Sequence, residues 1–271
     1  VKSRRAAGAD APSSGTFFDR FRTAMARLPA GLIRVAPPAD AADLARAEAA
    51  LGRPLPAAYL SFLRSFDGAD LFHESVIVAG VGAGAPRALA TLPQTTDGEL
   101  VFAEAQAGDL FALDGRGRVL RRDPGADERA LAGSSFERWL DATVVREQLL
   151  FGPDGEYADD VFDPSGEEVL PQIALRQAER ALRADPGAAD AEHARGIALV
   201  RLAKPEAALD AFGRAAALDP DGAWPLFDLG RTALELGRAA DALGAFRRAA
   251  VLERGPTGAR LLAWAARAAH A

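Results

Sequence analysis

The sequence predicts an α+β unit followed by an all-α helical-repeat array, and three observations carry that expectation. A set of residues in the last third returns every 34 positions. The apolar period changes from helical to alternating near residue 75. Three capped helical segments precede that change and one follows it, an order that suits α+β packing rather than βαβ alternation.

Thr16 followed by Asp19 opens the first helix, with Phe17, Phe21, Met25 and Leu28 on one stripe. Asp40 with Asp43 opens the second, which runs to Leu51 and stops at Gly52 before Pro54. Pro56 starts the third as its first helical residue, with Tyr59, Leu60, Leu63 and Phe66 apolar and Asp67-Gly68 closing it. Strands are then expected over 75–79, 100–103, 109–113 and 118–122, the last two joined as a hairpin around Asp114-Gly115-Arg116-Gly117. A final helix begins at Ser134 or Ser135, and Ser134-Ser135-Phe136-Glu137 fits a capping box. The expected organisation is a flexible N-terminus at 1–15, the α+β domain at 16–150, an acidic linker at 151–169 and the array at 170–271.

The repeat is read residue by residue. Ala208, Leu209, Ala211, Phe212, Arg214, Ala215, Ala216 and Leu218 return as Ala242, Leu243, Ala245, Phe246, Arg248, Ala249, Ala250 and Leu252. Gly196 with Gly230 and Asp185-Pro186 with Asp219-Pro220 keep the same offset. The period and these residues resemble the tetratricopeptide (TPR) family, whose unit is a helix pair. Small residues let helices approach, Phe212 and Phe246 fill the space between them, and the prolines stop each second helix. Two full repeats, a preceding half and a closing helix from about Gly258 to His270 are expected. The first helix of the earliest unit is unrecognisable, with the acidic segment in its place. Such a short stack is expected to lean on the N-terminal domain.

The resemblance implies a peptide- or helix-binding groove lined by the first helices. The candidate partner-binding residues on that face are His193, Arg201, Trp224, Phe227, Asp228, Arg231 and Glu235, with Ile197 and Val200 beside them. They do not resemble a Lys/Asn carboxylate clamp. Trp224 and Phe227 read equally as partner anchors or as residues covered by the neighbouring helix.

A second resemblance covers residues 30–145. The run from Asp43 to Leu63, DLARAEAALGRPLPAAYLSFL, is similar to the opening signature of the SUKH superfamily of the Smi-one/Knr-four type. Asp67-Gly68 stands where that family usually has Asn-Gly. Gly108–Asp114, Gly117-Arg118-Val119 and Ser135–Leu140 resemble its later landmarks in the right order. These are caps and turns, so they identify a fold. The resemblance implies binding: bacterial members are found as immunity proteins that neutralise toxins, often nucleases, and fungal relatives are regulatory hubs. It places partner contacts on the sheet face and on loops 68–75 and 80–99.

Composition narrows the function. The absence of cysteine excludes disulfides, thiolate metal sites and thiol nucleophiles. Net charge is −6. Asp154, Glu156, Asp159, Asp160, Asp163, Glu167 and Glu168 run without a base among them, which disfavours nucleic acid. That block reads as a solvated linker or as a patch for a basic partner. Only two of the 32 basic residues, Lys2 and Lys204, are lysine, which suggests a GC-rich bacterial genome. Val1 fits either an alternative start codon or a chain cut from a longer one. The basic start lacks the apolar run of a secretory signal, and the longest apolar stretch, 76–85, is too short to span a bilayer. A cytoplasmic, membrane-free protein is expected.

Chemical motifs are weak throughout. Gly80, Gly82 and Ala85 fit a loose dinucleotide fingerprint, but no helix has room to open before Pro93, and a flexible loop is the better reading. His73, His193 and His270 lie in different elements. Asp159-Asp160 and Glu167-Glu168 read as solvated pairs. No catalytic residue, cofactor or metal is expected. The expected function is non-enzymatic protein binding, as an immunity or regulatory protein, with a scaffold subunit of a larger assembly as the alternative.

Overall fold

A computed structural model describes residues 16–268 apart from 96, 126, 127, 167 and 254. The expected flexible start at 1–15, Glu167 and His270 lie outside the described residues. Helix α1 (Phe17–Met25) carries the expected capping box, in which the Asp19 amide donates to Thr16 Oγ1 (3.3 Å) and the Thr16 amide to Asp19 Oδ2 (3.0 Å). Helix α2 (Ala41–Leu51) is capped by Asp40 and closed by Gly52 at φ +66°, a left-handed conformation that glycine adopts without steric cost. Helix α3 (Ala57–Leu63) differs in detail. Pro56 is its N-cap rather than its first helical residue, and Arg64 closes it, ahead of Asp67-Gly68.

Seven strands form one antiparallel meander in sequence order: β1 (Ile33–Val35), β2 (Ala69–Leu71), β3 (Val76–Val78), β4 (Leu100–Ala105), β5 (Leu110–Leu113), β6 (Val119–Asp123) and β7 (Glu128–Gly133). One cross-strand row passes through Arg34, Asp70, Ile77, Glu104, Leu110, Arg122 and Arg129. The flanking row of Ala69, Val78, Ala103 and Phe111 is buried, as the two-residue period of a strand requires. Helix α4 (Phe136–Glu147) closes that core. Phe136 meets Phe62 at 5.3 Å and Phe102 at 5.2 Å between ring centroids, and Trp139 lies 5.0 Å from Phe102.

The glycine loop after β3 wraps an anion that belongs to the chain itself. The amides of Val81 and Gly82 donate to the two oxygens of buried Asp67 at 2.7 and 2.8 Å. A Cβ on Gly80 would come within 2.3 Å of the Asp67 carbonyl oxygen. The Tyr59 hydroxyl donates to Ala79 O at 2.6 Å. The loop expected to be flexible is therefore tied down at several points. Beyond it Leu89 and Leu92 are buried in the core of the sheet domain.

The acidic stretch has a small core of its own. Phe151 pairs with Tyr157 and Phe162 with Val169, while Leu150 and Val161 pack on Ile173. His73 Nε2 contacts Gly155 O at 3.2 Å, joining this stretch to the turn after β2.

Among the described residues six helices follow: α5 (Pro171–Ala184), α6 (Ala189–Arg201), α7 (Pro205–Leu218), α8 (Trp224–Glu235), α9 (Ala239–Leu252) and α10 (Gly255–Ala268). The pairs α6/α7 and α8/α9 are the two full repeats. A Cβ on Gly196 would sit 2.3 Å from the Phe212 ring, and one on Gly230 would sit 2.8 Å from Phe246. Both phenylalanines are fully buried. The position 34 residues after Gly230 is Trp264, whose ring lies 5.8 Å from those of Phe227 and Phe246. Helix α10 thus fills with its own side chain the approach that glycine leaves open in the full repeats.

The half repeat α5 finds its partner in α4. Ala142 of α4 shares a buried cluster with Ala181, Ala188 and Ala191. The last helix of the sheet domain stands where the sequence placed the acidic segment, and the array continues directly from it.

Candidate interaction cleft

Strand β7 is an edge, and an edge strand presents backbone groups without ladder partners. The array supplies them from equivalent points of consecutive repeats. Asp219 Oδ2 accepts from the Leu131 amide at 3.0 Å, and Asp185 accepts from the Ser134 amide (2.6 Å) and hydroxyl (2.7 Å). The two aspartates are 34 residues apart and both buried. Apolar contacts reinforce the seam, with Leu120 and Leu131 packed on Ala189 and Leu218. This corrects one sequence expectation. Ser135 alone caps α4, accepting from the Arg138 amide at 3.3 Å, and the capping box with Ser134 does not form because Ser134 is turned to Asp185.

Docked in this way, the two halves enclose a cleft of about 500 Å³. One wall is the β4–β5 turn with Gln106 and Asp109, the other is α5 and α6, and the C-terminal end of α4 forms the floor. Two ion pairs line it: Arg121 with Asp109 at 3.3 Å and Arg146 with Glu147 at 3.0 Å. Asp190, in the first turn of α6, also lines the cleft. No guanidinium or ammonium lies within 4 Å of its carboxylate among the described residues. Burial pushes this carboxyl up to about 6, against the pull of Arg146 and Arg121. Ile197, two turns along α6, lines the same space and is 42% exposed, beside Ala174 and Ala194.

Three of the seven expected groove residues come together. His193 Nε2 contacts Asp228 Oδ2 at 2.8 Å, and Arg231 reaches Asp228 Oδ1 at 3.2 Å. Trp224 and His193 line a second, water-sized cavity of about 30 Å³ with Asp190 and Asp219. The indole N–H of Trp224 and Nε of Arg231 are buried without a hydrogen-bond acceptor among the described residues. Phe227 is half-buried and packs against the helical core, between Trp224 (5.6 Å), Phe246 (5.7 Å) and Trp264 (5.8 Å). Arg201 turns away to Glu168 at 3.0 Å and Val169 O at 3.2 Å, and Glu235 is exposed at the end of α8.

Sequence reasoning missed Asp109, Arg121, Arg146 and Asp190. They come from a turn, a strand and two helices, and only the docking gathers them. The one available signal was the pair of Asp-Pro steps 34 residues apart, read there only as helix stops. No group of three or more histidines and carboxylates gathers as a metal site among the described residues, and no described helix is long and apolar enough to cross a membrane.

The model of the SMI1 / KNR4 family (SUKH-1) matches residues 38–142. No curated protein matches the chain. Among solved structures, the type III secretion chaperone SycD of Yersinia enterocolitica, in complex with a peptide of the translocator YopD, is 14% identical over 36% of this chain and 79% of its own, with a TM-score of 0.35. The TPR2B domain of yeast Sti1, in a pHsp70 complex, is 16% identical over 37% and 83%, with a TM-score of 0.36. MamA is 24% identical over 36% and 64%, with a TM-score of 0.32. The SUKH-1 match supports a protein-interaction role. With the glycine–phenylalanine approach repeated at a 34-residue period and the family match on the sheet side, the chain joins a segment at residues 38–142 that matches the SUKH-1 model to a TPR-like helical array.

Proposed function

We propose that this chain is a non-enzymatic binding protein of the bacterial cytoplasm that captures one partner protein, as an immunity or regulatory protein, and that the interdomain cleft belongs to its contact surface. The division into a SUKH-like part at 16–150 and an array at 170–271, joined by the acidic stretch, is part of this reading. The observation that carries it is the cleft. It is concave, built from both halves, and carries an exposed isoleucine among charged groups, the mix of apolar centre and polar surround that protein contacts use. The net charge of −6 favours a basic partner through steering.

The test is affinity capture from host lysate with the wild type and with Ile197→Asp, read by mass spectrometry, stoichiometry and co-expression. One partner bound one to one, lost with Ile197→Asp at an unchanged melt, and toxic to cells unless this chain is co-expressed, is the expected result. Several copurifying subunits with no rescue would replace it with a scaffold role.

A further inference from the structure

Resting on that reading, we propose that the cleft receives a cationic side chain of the partner, an arginine or lysine whose head group pairs with Asp190 and whose aliphatic stem lies on Ile197, Ala194 and Ala174. The cleft holds three carboxylates, Asp109, Glu147 and Asp190, against two guanidiniums. Arg121 and Arg146 each already lie within 3.3 Å of a carboxylate of their own. Asp190 is left over. It is half-buried and has no guanidinium or ammonium within 4 Å among the described residues, although Arg146 and Arg121 pull on it from farther off. A partly desolvated carboxylate of this kind gains from a cation that arrives with its own hydrogen-bond donors.

The wall beside it fits the rest of such a side chain. Ile197 is seven residues after Asp190 on α6, which places the two on one helix face two turns apart. That separation, about 10 Å along the helix axis, suits a long side chain reaching from an apolar stretch to a charge. The other titratable groups of the cleft do not compete. His193 is turned to Asp228, which Arg231 also reaches, and Glu147 and Asp109 hold their arginines.

The experiment uses the full chain and small probes. N-acetyl-arginine amide, N-acetyl-glutamine amide and N-acetyl-glutamate amide are titrated while the Ile197 δ-methyl and Trp224 indole signals are followed by NMR. The arginine probe is expected to shift both signals saturably and the other two to leave them in place. Asp190→Asn should weaken the arginine probe about tenfold, the scale of one charge-assisted hydrogen bond. Ile197→Ala should weaken it about threefold through lost apolar contact. Spectra of the two variants establish that each is folded. Equal shifts from arginine and glutamine, a preference for glutamate, no shift at all, or undiminished binding by Asp190→Asn would each overturn the inference. Capture of the native partner by wild type and by Asp190→Asn alike would remove this inference and leave the protein-binding reading standing; loss of one-to-one capture by the wild type would remove that reading itself.

Discussion

Phe246→Ala is expected to cost about 3–5 kcal/mol of folding free energy, the range of buried aromatic truncations. Phe246 is fully buried, its ring lies against the bare Cα of Gly230, and it touches Phe227 and Trp264. Truncation leaves a void among helices α8, α9 and α10 that cannot close. Glycine 230 has no side chain to move in, and the two other rings are held by neighbours. Urea denaturation followed by circular dichroism reads the loss. A midpoint equal to that of the wild type would mean that the helix register is wrong, because the period of 34 residues puts this ring at the repeat's centre.

Asp185→Ala is expected to cost about 3 kcal/mol or more, for a different reason. Its carboxylate is fully buried and accepts from the amide and hydroxyl of Ser134 and from the amide of Gly187 at 3.0 Å. Alanine removes all three acceptor contacts and leaves three part-buried donors unpaired, each costing roughly 1 kcal/mol, the low end for an unsatisfied buried group. Asp185→Asn keeps one carbonyl oxygen and should lose about half as much. Asp219 makes one such bond across the seam, to Leu131, so Asp219→Ala should rank below Asp185→Ala. The same urea series checks the order. If the two alanine variants match the wild type, the aspartates only end helices, and the seam owes nothing to them.

Much of this fold was legible because its signals are local. A threonine and an aspartate three apart make a capping box whatever surrounds them, and a glycine at φ +66° ends α2 as its sequence position suggests. The array was legible because repetition multiplies a weak pattern. Strands β1 and β2 were not: each has three residues, and all three of β2 are buried, so no alternation exists to be read. Strand β7, Glu-Arg-Ala-Leu-Ala-Gly, has the composition of a helix, and pairing with β6 makes it a strand. The cleft was the least legible part. Asp109, Arg121, Arg146 and Asp190 meet only because the array lies on the β7 edge, and that docking follows from two carboxylates whose local role is to end a helix.

That docking is the claim on which the cleft depends, and hydrogen exchange at single amides tests it most directly. Undocked, the Leu131 amide of β7 and the Ser134 amide just beyond its end would face water. In the full chain they are expected to exchange as slowly as the amides of β5 and β6, by cooperative opening rather than by local fraying. Exchange of Leu131 and Ser134 at the rate of free amides, with β5 and β6 still protected, would contradict the account and dissolve the cleft with it.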